Sequence, residues 1–325
     1  MQPLFPGIEK LQKFTPVFAA IAVSVVTFAC GKASSPTAPT QTGASPEAPA
    51  PAPPSAPSPA PPAGPINHVF LIVEENASAA AVIGGPLMPY LNSLATQGGS
   101  ASEYYANTHP SIGNYFMLTV GSMVTNNNNF SGVVTEDNIV RQLLAAGKTW
   151  KSYAEDLPSV GYTGGDTGGY ARKHNVLALL ADVVNNPAQV GNLVPFSQFS
   201  RDLTSGTLPN YSFIVPNLCN DGHDCPLSTA DSWLQTNIGP LVNSASFQRD
   251  GLLIVLFDEA PDTELARGGG RVAWIAVGAR AKRGYRSSNV YQHESTLRLT
   301  ADVLGLPVPP NRAAGAPDMR EFLTF

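Results

Sequence analysis

Two pairs of hard oxygen donors each follow a strongly apolar run. Glu75-Asn76 comes after His68-Val73, and Asp258-Glu259 comes directly after Leu252-Phe257. Carboxylates and an amide carbonyl are the ligands that a hard divalent cation takes. A serine hydroxyl near such an ion, or near a base, turns from a weak into an effective nucleophile. Ser111 is placed for that chemistry, because an apolar helical stretch, Gly113-Val120, begins just after it. A helix start there directs backbone N–H groups at developing negative charge. Pro110-Ser111 also suits a helix cap, and the two roles are compatible. The chain has five histidines. His109 precedes Ser111 by two residues, His223 lies between Cys219 and Cys225, and His293 opens the last helical stretch. His174 sits in Arg172-Lys173-His174-Asn175, where it either meets substrate charge or belongs to a surface loop. His68 opens a strand and reads as structural; Glu74 reads as a solvated neighbour of Glu75.

These groups need a frame that brings distant segments together. From Ile66 onward, short apolar runs alternate with amphipathic stretches. Strands are expected at His68-Val73, Tyr211-Val215, Leu252-Phe257 and Arg271-Val277. Helices are expected at Gly113-Val120, at Ile139-Ala146 capped by Asp137 and ended by Gly147, from Ser228 or Thr229 through Leu234, and at Thr296-Leu304. Strands alternating with helices specify an α/β fold with a mostly parallel central sheet flanked by helices. Ligands of such sheets bind outside the carboxyl ends of the strands. Glu75-Asn76 and Asp258-Glu259 are therefore expected to share one sheet edge.

The amino terminus reads as an address rather than as fold. Lys10 and Lys13 precede an apolar run, Val17-Ala29, interrupted only by Ser24 and Thr27. Its length is that of a signal-peptide core and falls short of the roughly 20 residues of a membrane span. Residues 1–29 are read as a signal peptide of lipoprotein type, because Thr27-Phe28-Ala29-Cys30 resembles a bacterial lipobox, which implies cleavage before Cys30 and lipidation of it. Residues 30–65 carry 12 prolines from Pro36 onward. Such a segment has little to bury and reads as an extended, semi-rigid linker. Residues 66–325 then form the catalytic domain. In an exported chain Cys219 and Cys225 are expected to be bridged, stiffening the turn that holds Asp221, His223 and Asp224. Export to the bacterial cell envelope, with a membrane as partner through the lipid anchor, or else secretion, follows from these readings. The net charge is −5 and no basic run or arginine-rich stripe is evident, so no nucleic-acid partner is expected.

Five stretches together resemble the phosphoesterase family of bacterial acid phosphatases and phospholipase C enzymes, within the alkaline phosphatase superfamily. They are Val73-Glu74-Glu75-Asn76, Thr108-His109-Pro110-Ser111 with Asn114-Tyr115, Pro216-Asn217 through His223-Asp224-Cys225, Phe257-Asp258-Glu259, and His293-Glu294-Ser295. The resemblance implies an alkaline-phosphatase-like sandwich. It makes Ser111 the nucleophile and puts Asn114 on a phosphate oxygen. It makes Glu75, Asn76, Ser111, Asp258 and Glu259 the metal ligands. That all-oxygen set favours one magnesium, calcium or manganese ion over zinc. A second metal is left open, because Asn217 stands where two-metal relatives carry an aspartate. His109 and His174 are further substrate-binding candidates. His223 and His293 are read as donors to the phosphate, and one of them or Asp224 as the acid that protonates the leaving group.

Three functions compete at this point. A phosphomonoesterase of acid phosphatase type comes first. A phospholipase C-type phosphodiesterase or a phosphoinositide phosphatase comes second. The third is a surface lipoprotein that binds a divalent ion without catalysis. A sulfatase is disfavoured, because no Cys-x-Pro-x-Arg signature occurs.

Overall fold

The structure is a computed structural model that describes residues 65–325. The expected signal peptide, Cys30 and nearly all of the 30–65 linker lie outside the described residues. Eight strands form one sheet: β1 His68–Glu74, β2 Gly99–Tyr105, β3 Trp150–Ala154, β4 Leu193–Pro195, β5 Tyr211–Val215, β6 Gly251–Phe257, β7 Trp274–Gly278 and β8 Tyr285–Gln292. Their order across the sheet is β4-β3-β5-β1-β6-β7-β2-β8. Only β7 runs against its neighbours, β6 and β2; every other pairing is parallel. The architecture is the mostly parallel α/β sheet with flanking helices that the alternation specified.

The two strands that read most clearly are the two at the centre. All seven residues of β6 are buried, as are six of seven in β1. Burying a Leu, Ile or Val side chain stabilises by about 1.5–3 kcal/mol, so continuous apolar runs settle where both faces are covered. β1 and β6 pair in register from His68↔Gly251 to Glu74↔Phe257. Their carboxyl ends therefore stop side by side, and Asp258 N–H donates to the Glu74 carbonyl at 2.9 Å. This register puts Glu75-Asn76 and Asp258-Glu259 on one edge, as expected.

Element ends differ from the sequence reading in instructive ways. The helix after Ser111 spans Ile112–Thr119. The helix at Ile139–Ala145 is capped by Asn138, whose side chain accepts from Arg141 N–H at 3.0 Å. Asp137, the expected cap, instead holds the Gln142 amide. The long helix Leu227–Val242 starts after Pro226 with no side-chain cap. The last helix begins at His293 itself and runs to Leu304, where Gly305 adopts φ +66°. Arg271 falls outside β7, which starts at Trp274.

Candidate active site

Glu75, Asp258 and Glu259 form a buried acidic triad at the shared edge, with ligand-capable oxygens within 4.8 Å of one another. Ser111 Oγ donates to Glu259 Oε1 at 3.0 Å and to Glu75 Oε2 at 3.2 Å. The serine precedes the Ile112–Thr119 helix but makes no side-chain cap bond. Its hydroxyl is directed at the carboxylates and not back at the helix backbone. Asn76 adopts φ +57°, a conformation asparagine tolerates better than most residues. That turn aims its backbone N–H at Asp258 Oδ1, 3.2 Å away.

Three carboxylates this close repel one another. Burial, with the Glu75 and Glu259 charges, pushes Asp258 well above the usual carboxylate range. Burial and Glu75 likewise raise Glu259. Asp258 Oδ2 is buried without a hydrogen-bond partner. An orphaned oxygen inside a dry cluster of negative charge fits a hard divalent cation, which the oxygen-only donor set also suits. Glu75 differs: burial pushes it up, but His174, Lys173 and the Tyr115 hydroxyl outweigh burial and hold it at about 2.

His174 is the histidine that the structure carries into the centre. It is buried, with Nε2 3.0 Å from Glu75 Oε1 and Nδ1 3.1 Å from Asp221 Oδ2. Burial alone would keep it neutral; the two carboxylates overcome that and raise it to about 9. Tyr115 stacks on its ring at 5.0 Å and donates to Glu75 Oε1 at 2.7 Å. The sequence reading left Tyr115 without a role and treated Asp221 only as a neighbour of His223. Its helical spacing from Ser111 was the available signal for Tyr115. Asp221 arrives through the Cys219–Cys225 disulfide turn, whose S–S distance is 2.03 Å. The Asp221 carbonyl accepts Glu75 N–H at 2.8 Å, and its Oδ1 accepts His223 N–H at 2.8 Å.

The other histidines separate into braces and one group at the rim. His293 is fully buried; its Nε2 lies 2.7 Å from the Asp258 carbonyl and its Nδ1 3.1 Å from the Tyr104 hydroxyl. Burial lowers it to about 4, so it is neutral and supports Asp258 from behind instead of meeting phosphate as an imidazolium. His109 Nδ1 bonds Glu259 Oε2 at 2.7 Å and Nε2 bonds the Glu264 carbonyl at 3.1 Å, which orients Glu259. His223 keeps 30% of its side chain exposed. Its Nδ1 is 2.7 Å from Asp224 Oδ1 and its Nε2 is 3.2 Å from Lys173 Nζ.

Hydrogen bonding and burial bear on two further expectations. Asn114 Oδ1 accepts from Asn107 N–H and Thr108 N–H, and Nδ2 donates to the Thr108 carbonyl. The side chain thus shapes the loop before Ser111, and one Nδ2–H is left beyond these three bonds. Gly268 closes the same loop at φ +114°, where a Cβ would sit 2.0 Å from the Asn107 carbonyl oxygen. Glu74 is not solvated. It is wholly buried with neither carboxylate oxygen bonded, and burial pushes it well above the carboxylate range. Asn217, in the second-metal position, accepts from Cys219 N–H and Asn220 N–H within the turn and donates to Asp156 Oδ2 after β3.

Known proteins share this sequence and this fold. The model of the Phosphoesterase family matches residues 85–307. The chain is 35% identical over 242 residues to a phosphatidylinositol-3-phosphatase of Mycobacterium tuberculosis, covering 74% of this chain and 77% of that one. It is 31% identical over 225 residues to an acid phosphatase of Aspergillus fumigatus, covering 66% of this chain and 50% of the fungal one. The chain thus spans about half the length of that fungal relative. A solved Vibrio parahaemolyticus protein of the alkaline phosphatase superfamily superposes with a TM-score of 0.54 at 15% identity, over 81% of this chain and 73% of that one, a likeness of fold alone.

Proposed function

The chain belongs to the Phosphoesterase family and is a hydrolase of phosphoric esters; from that premise we propose that it is an exported, metal-dependent acid phosphatase that hydrolyses phosphomonoesters through a phosphoserine on Ser111. One observation carries the proposal: the Ser111 hydroxyl is buried and hydrogen-bonded to two carboxylates of the acidic triad. Glu75, Asp258 and Glu259 would hold the ion, with Ser111 beside them. A divalent ion bound there supplies positive charge that acidifies the serine hydroxyl and offsets charge on phosphate oxygens.

The protein groups divide the remaining work. Glu75 and Glu259 fix the direction of the Ser111 hydroxyl, whose oxygen bonds to phosphorus as its proton passes to Glu259, the nearer acceptor, and the bond from phosphorus to the leaving oxygen breaks. His174, as a cation between Glu75 and Asp221, offsets charge on the triad. His223, oriented by Asp224 at the open rim, gives a proton to the leaving alkoxide and afterwards takes one from the water that cleaves phosphoserine.

The test combines kinetics and trapping. Release of p-nitrophenol from its phosphate monoester should depend on a divalent ion, being lost in EDTA and restored by magnesium, manganese or calcium. Ser111→Ala should lower turnover by roughly three orders of magnitude and abolish the acid-stable phosphoprotein formed on brief mixing with substrate. Undiminished turnover in that variant would sink the nucleophile. The relationship to the phosphatidylinositol-3-phosphatase favours a phosphoinositide headgroup as one monoester substrate. Parallel assays on such a lipid and on a phosphatidylcholine diester separate this from a phospholipase C-type reading.

A further inference from the structure

We infer that the sheet edge opposite the catalytic carboxylates is a surface that docks onto anionic phospholipid headgroups. The connection between β7 and β8 carries Arg280, Lys282 and Arg283, and Arg286 follows in β8. β7 is antiparallel to β6 and ends with Gly278 paired to Leu252, so this connection leaves at the amino edge of the central strands. The catalytic carboxylates leave from the other end of β1 and β6. Six residue steps of strand separate the two edges, roughly 20 Å.

Charge on this edge is unevenly compensated. Arg283 and Arg286 are exposed and take part in no ion pair among the described residues. Lys282 Nζ stands 5.1 Å over the Tyr285 ring. The nearby acids are engaged: Asp318 by Arg320, Asp302 by Arg298 and Arg320, and Glu321 by Tyr285, Asn289 and Tyr291. The sequence reading passed over these four cations because they are spread over seven residues of an acidic chain.

A second observation selects the partner. Pro65 and Ile66, where the described chain enters the domain, line a cavity of about 320 Å³ together with Arg280, Asp302, Val303 and Phe325. The segment that carries Cys30 therefore joins the domain beside the basic loop. If residues 1–64 hold the protein at a membrane, this is the edge they deliver to it. That clause rests on the export reading. The basic edge then lies against the anionic headgroups. The site opens away from the anchoring membrane, and its phosphoester arrives from solution or from an opposing surface.

The experiment uses the mature chain, residues 30–325, carrying Cys30→Ser so that no acyl chain contributes. Its flotation is measured with vesicles of phosphatidylcholine alone and of phosphatidylcholine with about 30% phosphatidylglycerol. Binding should require the anionic lipid and weaken with salt. Each cation near a charged membrane raises partition about fivefold. Lys282→Glu/Arg283→Glu/Arg286→Glu should then lower it at least 100-fold, while turnover of the soluble monoester and the melting temperature stay unchanged. Equal binding of this variant, equal flotation with neutral vesicles, or tighter binding to duplex DNA than to anionic vesicles would overturn the inference. Failure of the lipid-anchor reading shows separately, in the mass of the Cys30 peptide from the wild-type protein.

Discussion

Asp258 shows how a residue can be costly to the fold of the free protein and yet suit a bound cation. It is buried between Glu75 and Glu259, and its Oδ2 has no partner. Asp258→Asn removes one charge from the cluster at almost constant volume. In EDTA the variant should therefore melt higher than the wild type. With a saturating divalent ion the order should reverse, because the wild type gains binding energy, about 2.7 kcal/mol at 100 times the dissociation constant, that the variant cannot. Scanning calorimetry of both proteins in both conditions gives the four melting temperatures. A contrasting pair is Asn114 and His223. Asn114 makes three hydrogen bonds to the Asn107–Thr108 backbone, so Asn114→Ala should cost about 1–3 kcal/mol of stability as well as activity. His223→Ala, at an exposed rim, should lower turnover and leave the melting temperature within experimental scatter. The carboxylates were legible in the sequence because type and position after an apolar strand are local facts. The division of labour among His109, His174, His223 and His293 was not. It depends on which face of a distant segment packs inward, and nothing within three or four residues of a histidine records that.

At the scale of elements, the central strands were legible and the edges were not. β1 and β6 bury both faces and so read as continuous apolar runs. β8, Tyr285–Gln292, is an edge strand in which Ser287 and Tyr291 alone are buried, and its polar sequence resembles a loop. β2 begins at Gly99 and contains Ser100, Ser102 and Glu103, which likewise conceal it. Tertiary contacts supply what propensity does not. Glu321, from the carboxy-terminal segment, accepts hydrogen bonds from Tyr285, Ser287, Asn289 and Tyr291, and so fastens that segment over β8. Burial raises its acidity constant's pKa, but these donors outweigh burial and leave the carboxyl below its usual range. A carboxyl lowered in the folded state contributes stability above its unfolded pKa of about 4.3 and loses it as pH falls through the folded value. Glu321→Gln should therefore lower the melting temperature at pH 7 and lose less of it than the wild type does as pH falls below about 4.3. Parallel melting curves with identical slopes in that window would contradict the assignment.

For the molecule as a whole, topology decides how much chain the chemistry needs. The candidate site groups follow the carboxyl ends of β1, β5 and β6, precede the Ile112–Thr119 helix beside them, or, for His174, stand in the short turn Arg172–His174. Among the described residues, the hydrogen-bond and ion-pair partners of Glu75, Ser111, His174, Asp258 and Glu259 lie between residues 74 and 293. β1, the strand nearest the described start, already has both neighbours, β5 and β6, within the same sheet. A chain beginning at Pro65 should therefore fold, retain kcat and KM for a soluble monoester within about twofold, and melt at the temperature of the longer protein. Residues 1–64 would then govern where the enzyme works. Cys30→Ser in the full-length protein should leave those kinetic constants unchanged and move activity from the membrane fraction to the soluble fraction of the producing cell. Fractionation with a monoester assay reads both outcomes at once. If the serine variant stays with the membrane, the Thr27-Phe28-Ala29-Cys30 motif is not the anchor. If the chain from Pro65 loses turnover while keeping its melting temperature, the preceding segment contributes to the site itself.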